Sequence, residues 1–207
     1  MALVKYNNNS ISAVTSASSI PSGALTHIKT LTASSSSTLS FVHGSSGVVL
    51  DSTYPIYLFK FINMHPATDS AQFKFNLSTD TGSNYNVAKT TTFFKAYHAE
   101  DDAGSALAYE PSDTLANGTG SQIMGSVIDN DNDACWDGMM HLFNPSSTTF
   151  VKHFMSVGAS LGATKYSYND FVAGYGNTTS AIDAVQFTMS SGNIDAGTIK
   201  LYGIKDS

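Results

Sequence analysis

The chain has 207 residues, 42% hydrophobic and only 13% charged, with a formal net charge of -6 at pH 7. That length suits one domain with a sizeable core, and the negative balance argues against a surface built to neutralise nucleic-acid phosphates. All ten basic residues are Lys, which excludes guanidinium clamps, and the single Cys135 excludes an intrachain disulfide.

Residues 1–23 contain Asn7-Asn8-Asn9, repeated Ser and Ala, and the break Pro21-Ser22-Gly23. They read as an N-terminal arm of weak pattern. One reading is a disordered terminus; the other is an arm that orders only against a neighbouring subunit, anchored by Val4, Tyr6, Ile11 and Val14. The opening MALVKYNNNS lacks the apolar core of a secretory signal, and no run approaches a membrane span. The expectation is synthesis in a cytoplasm without export by the ordinary route.

The domain is expected over residues 24–207. Its first strands are Leu25–Thr32 and, after a serine turn, Thr38–His43. A loop from Gly44 to Tyr54 carries a small apolar patch, Val48 to Leu50. Ile56–Met64 is the most apolar strand: Tyr57, Phe59 and Phe61 share one face, while Ile56, Leu58 and Ile62 share the other with Lys60. Apolar residues on both faces predict a central strand covered on both sides. Ala71–Ser78 alternates cleanly, Phe73, Phe75 and Leu77 against Gln72, Lys74 and Asn76, and so predicts a half-buried strand.

Thr90–His98 is the next strand. Glu100 to Gly120 is polar and reads as a long surface loop. Gln122–Ile128, Gly138–Phe143, Thr149–Val157 and Tyr166–Tyr175 are strands. They are separated by an acidic loop (Asp129–Asp137), Asn144-Pro145-Ser146-Ser147 and a loop from Gly158 to Lys165. The chain closes on Ala181–Ile204, read as two core strands joined by a tight turn at Ser190-Ser191-Gly192-Asn193. Short strands at this spacing, with few helix formers and no βαβ rhythm, predict an all-β fold. The expected architecture is an antiparallel two-sheet β-sandwich, with a jelly roll as its anticipated connectivity, preceded by the arm.

The chemistry-bearing residues form no complete motif. Asp129, Asp131, Asp133 and Asp137 crowd one loop, and oxygen ligands at alternate positions suit calcium. The calcium-loop pattern fails, however, because Ala134 stands where Gly is needed and Met140 where Glu is needed. The loop therefore reads as a solvated acidic turn, with a shared cation site as the sharper reading. His98, Glu100, Asp101 and Asp102 form a second polar group, in which His98 and Glu100 share a face if the strand continues. His141 and His153 could pair across a sheet. Cys135 beside Trp136 reads as a small buried residue rather than a nucleophile. Tyr166, Tyr168 and Tyr175 are the best candidates for a sugar-stacking platform, although core or interface packing is the commoner use of such residues. No catalytic, cofactor-binding or metal residue is assigned, and no cofactor is expected.

Five runs carry a resemblance: Asp51–Tyr54, Asn63–Asp69, Leu142–Thr149 with Val151–Phe154, Asn169–Tyr175, and Ser190–Ile204 with its closing Gly-Thr-Ile-Lys-Leu-Tyr-Gly-Ile. Together they resemble a family of virion structural proteins of marine tailed bacteriophages. The resemblance implies a non-enzymatic component of a phage particle, located in the virion and assembled in the host cytoplasm. The first expectation is a capsid decoration or cement protein that stabilises the shell. Its partners would be the major capsid protein or other virion proteins and copies of itself, with a trimer the expected oligomer, and neither nucleic acid nor membrane. The alternative is a tail or fibre protein that binds a host surface glycan. A third reading is a glycan-active enzyme using carboxylates such as Asp129 or Asp170.

Overall fold

A computed structural model describes residues 24–162 and 165–205. The expected arm, residues 1–23, lies outside the described residues. Among these residues twelve strands form two antiparallel sheets. They are β1 (Leu25–Thr32), β2 (Leu39–Val42), β3 (Ile56–Pro66), β4 (Ala71–Ser78), β5 (Lys89–Ala99), β6 (Ser105–Tyr109), β7 (Gln122–Ile128), β8 (Trp136–Phe143), β9 (Lys152–Gly162), β10 (Tyr166–Gly176), β11 (Ala184–Met189) and β12 (Ile194–Ile204). The large sheet runs β1-β12-β3-β8-β9-β10-β5-β6 and the small one β2-β11-β4-β7. The two-sheet sandwich is thus the architecture. The strand order does not establish jelly-roll connectivity, because a jelly roll divides eight strands between two Greek keys.

Alternation decides which side chains meet between the sheets. Phe59 and Phe61 of β3 face inward and pack edge-on against Phe187 of β11, with ring centroids 5.4 and 5.1 Å away. Phe73 of β4 meets Phe61 and Trp136, and Phe75 meets Phe154 of β9. All of these rings are at most 2% exposed. Burying each contributes about 1.5–3 kcal/mol. Polar ties supplement the packing. The Thr91 hydroxyl donates to Gln122 Oε1 at 2.6 Å, joining β5 to β7 across the two sheets. The Tyr57 hydroxyl donates to the Asp51 carbonyl and accepts from the Asp51 amide, each at 2.9 Å, which anchors the loop before β3.

Four expectations are corrected. The closing residues are two strands but not a pair. β11 lies in the small sheet between β2 and β4, while β12 lies in the large sheet between β1 and β3. Ser190–Asn193 is therefore a crossing between layers, held by the Ser190 amide on the Gln72 carbonyl and the Ile194 amide on the Ser36 carbonyl. The stretch Glu100–Gly120 is not all loop, since Ser105–Tyr109 adds an edge strand beside β5. Gly158 to Gly162 belongs to β9, not to a loop. Gly158 is there because the Trp136 indole lies across it: a Cβ at that position would fall 2.1 Å from Trp Cζ2. Finally, β3 is central but its outer face is only partly covered, with Leu58 6% and Ile62 38% exposed.

Candidate functional site

The two sheets present unlike faces to solvent. On the small sheet most outward residues are polar: Gln186 sits opposite Ser40 and Asn76, and Thr188 opposite Lys74, with Ala184, Val42 and Ile123 the apolar members. On the large sheet an apolar patch crosses the strands, bordered by polar residues such as Lys200, Thr92 and Asn169. One cross-strand row reads Tyr202, Leu58, His141, Met155, Ala173 from β12 through to β10. The next reads Lys60, Met139, Val157, Phe171, Phe94, Tyr109 from β3 to β6. A third holds Leu25, Ile204, Ile56 and Phe143. Among the described residues, every exposed large apolar side chain except Phe150 lies on this face, including Leu107 at 73% and Met155 at 57%. An antiparallel sheet with a solvated face ordinarily alternates to polar residues there. A continuous apolar patch of this kind marks a contact surface.

The face contains a groove of about 620 Å³ that crosses the strands, lined by Ile56, Met139, Phe143, Met155, Phe94 and Phe171 among others. Phe94 and Phe171 stack within it, and His141 stacks on Phe143. Burial lowers the His141 pKa below its usual value, so the imidazole is held towards its neutral form.

The residues singled out from the sequence disperse. In the acidic loop, Asp137 accepts the Asn63 amide on one oxygen (2.8 Å) and the Cys135 thiol on the other (3.1 Å). The Asp131 carbonyl contacts His65 Nε2. Asp129 turns to Asp69; partial burial and that second carboxylate raise its pKa. No group of three His, Cys, Asp or Glu among the described residues converges. The Cys135 thiol is pushed up to about 12 by burial and by Asp137, which keeps it protonated. His98 does not meet Glu100, because β5 ends at Ala99; its Nε2 lies 2.9 Å from Asp102, both side chains being well exposed. Nor do His141 and His153 pair: His141 lies opposite Met155, and His153 packs against Tyr175.

The tyrosine platform divides. Tyr166 and Tyr168 point to the inner side of β10 and cluster with Tyr97 of β5, at 5.7 and 5.8 Å from its ring. Lys95 Nζ stands 5.4 Å over the Tyr168 ring. Tyr175 is on the opposite face. Asp170 lies further along the inner side of β10 and is 1% exposed, accepting the Ser126 hydroxyl at 3.1 Å. Burial raises its pKa to about 6, against the favourable Ser126 contacts. The buried Trp136 Nε1–H adds a favourable pull on that carboxylate but has no partner in hydrogen-bond geometry.

Two buried cations escaped the sequence reading. Lys89 and Lys152 flank Gly176 in one inward row of the large sheet. Lys89 Nζ donates to Asn76 Oδ1 and the Val87 carbonyl, and Lys152 Nζ to the Phe150 carbonyl. Desolvation lowers both, Lys89 to about 8. Only their even spacing with Thr91 and Phe154 on alternating strands could have placed them inside.

Comparison of the chain with protein-family models, with curated proteins and with solved structures finds no match.

Proposed function

We propose that the protein is a non-enzymatic structural component of a phage particle, a decoration or cement protein that binds the assembled shell. The observation that carries this reading is the exposed apolar patch on the outer face of the large sheet, opposed to a mostly polar outer face on the small one. A protein with one sticky face and one wet face suits attachment to a larger surface, where removing the apolar face from water drives association. The sequence resemblance supplies the particle. The major capsid protein or another virion protein is the partner, and copies of this chain associate with one another.

The test is the copy number of the chain in purified particles, measured by quantitative mass spectrometry against the major capsid protein. A count comparable to the capsid protein's supports shell decoration, and adding the protein back to bare shells then raises their resistance to heat. Absence from the particle sinks the proposal.

One observation favours a second reading, a tail or fibre protein that binds a host glycan. Tyr97, Tyr166 and Tyr168 form a half-buried aromatic cluster beside Lys95, and sugars stack on such rings. A count of a few copies per particle, with polysaccharide binding lost on Tyr166→Ala or Tyr168→Ala, supports this reading over the first.

A further inference from the structure

The position where the described chain begins points to an occupant for the outer groove. Leu25, the first residue of β1, is 43% exposed and stands on the outer face at the end of the row Ile204, Ile56, Phe143. Ile204, Ile56 and Phe143 line the groove. Ala24 is held at this rim by the Lys205 amide, which donates to its carbonyl at 3.0 Å. The described chain therefore begins at the mouth of the groove.

Length and chemistry agree with that placement. The groove extends from β12 to β5. Those five interstrand steps span about 24 Å. Seven or so extended residues cover this, and the whole segment reaches about 75 Å, enough for the groove of its own copy or of a neighbour. Residues 1–23 carry Leu3, Val4, Tyr6, Ile11, Val14 and Ile20 among small polar residues, with Lys5 as their only charge. The groove holds no carboxylate and no lysine, and its one titratable side chain, His141, is held towards neutrality. Such a groove rejects acidic and phosphorylated ligands and accepts an apolar, nearly uncharged strand, because an unpaired charge buried there would be costly. A second copy set face to face would bring groove against groove and leave the concavity unfilled, whereas an extended segment fills it. Met139 and Met155 on the groove walls adapt to an irregular guest.

We propose that residues 1–23 of this chain dock in the groove on the outer face of the large sheet, with Val4, Tyr6, Ile11 and Val14 as anchors. The inference rests on the reading of that face as an assembly surface and names what covers part of it. The test uses the full chain with Tyr6→p-benzoylphenylalanine, irradiated and mapped by mass spectrometry. Cross-links to the peptides bearing Met139, Met155 or Phe171 are expected. Mixing isotopically light and heavy copies tells docking in the same copy from exchange between copies, and both support the proposal. In parallel, full-length Val4→Asp with Tyr6→Asp should oxidise at Met139 and Met155 at least fivefold faster under dilute peroxide. Cross-links elsewhere, with unchanged oxidation, overturn the proposal. If that happens while Met155→Asp still abolishes association with particles, the face remains an assembly surface with a different occupant. If Met155→Asp leaves association intact as well, the functional reading falls too.

Discussion

Phe94 on β5 and Phe171 on β10 stack nearly parallel on the solvent side of the large sheet, with ring centroids 4.8 Å apart and planes 8° apart. Such a pair contributes about 0.5–1.5 kcal/mol beyond the area it hides. Phe94 nevertheless remains 41% exposed, so much of its apolar surface is available to a partner. Phe94→Asp should therefore cost about 1 kcal/mol of stability while reducing co-sedimentation with purified particles at least tenfold. Lys74→Asp, on the outer face of the small sheet, should leave both unchanged. Equal binding by the two variants would remove the large sheet's outer face from the contact.

The Trp136 indole is enclosed by glycines from both sheets: a Cβ on Gly125, Gly138 or Gly158 would lie 2.7, 2.7 or 2.1 Å from its ring atoms. Gly158→Ala should destabilise by about 1–3 kcal/mol through overpacking, read from urea denaturation. Gly104→Ala, whose nearest neighbour would be the flexible Tyr166 hydroxyl at 3.5 Å, should be within about 0.5 kcal/mol of the parent.

Asp170 should set the acid side of the stability profile. Its folded pKa, about 6, lies above the ordinary 3.8. Between those values the folded state binds more protons than the unfolded one, so this group's stabilisation is full below about pH 4 and is lost as pH rises through 6. The corresponding loss at pH 7 is about 3 kcal/mol. Asp170→Asn should stabilise the protein at pH 7 by about 1–3 kcal/mol, with the advantage gone at pH 4. An advantage equal at both pH values would contradict a buried ionised carboxylate.

Lys89 sets the alkaline side. Its folded pKa, about 8, lies below the ordinary 10.5. Here the unfolded state binds more protons, so stability rises by about 3 kcal/mol between pH 8 and 10.5 and is lost as pH falls through 8. Lys89→Met should abolish that rise in chemical denaturation at a series of pH values. A rise retained in the variant would assign it to another group.

The legible part of the fold was the part where pattern and burial coincide. β3 and β4 could be read because Tyr57, Phe59, Phe61 and Phe73, Phe75, Leu77 occupy every second position and all turn inward. β6 was hidden because Ser105–Tyr109 is an exposed edge whose Ala residues carry almost no periodic signal. The end of β9 was hidden because Gly158 beneath Trp136 and Gly162 beneath Tyr168 look like loop glycines until those rings are in place. The final turn misled because period two continues on both sides of a break whether the chain doubles back or passes to another layer. At the candidate surface, Met139, Met155 and Phe171 could be seen as strand residues. Their shared outward face required the pairing of β8, β9 and β10, which no local pattern encodes.

The crossing at Ser190–Asn193 bears on when the molecule can fold. It places β11 between β2 and β4 and β12 between β1 and β3, so the small layer lacks an internal strand until Met189 has left the ribosome and the large layer until Ile204 has. Nascent chains that stop before Ala184 expose β1 and β2 without their partners, and such unpaired edges invite pairing with other chains. Folding of this domain in this sense waits for its last two strands. A cell making many copies at once must hold a population of chains with both sheets open.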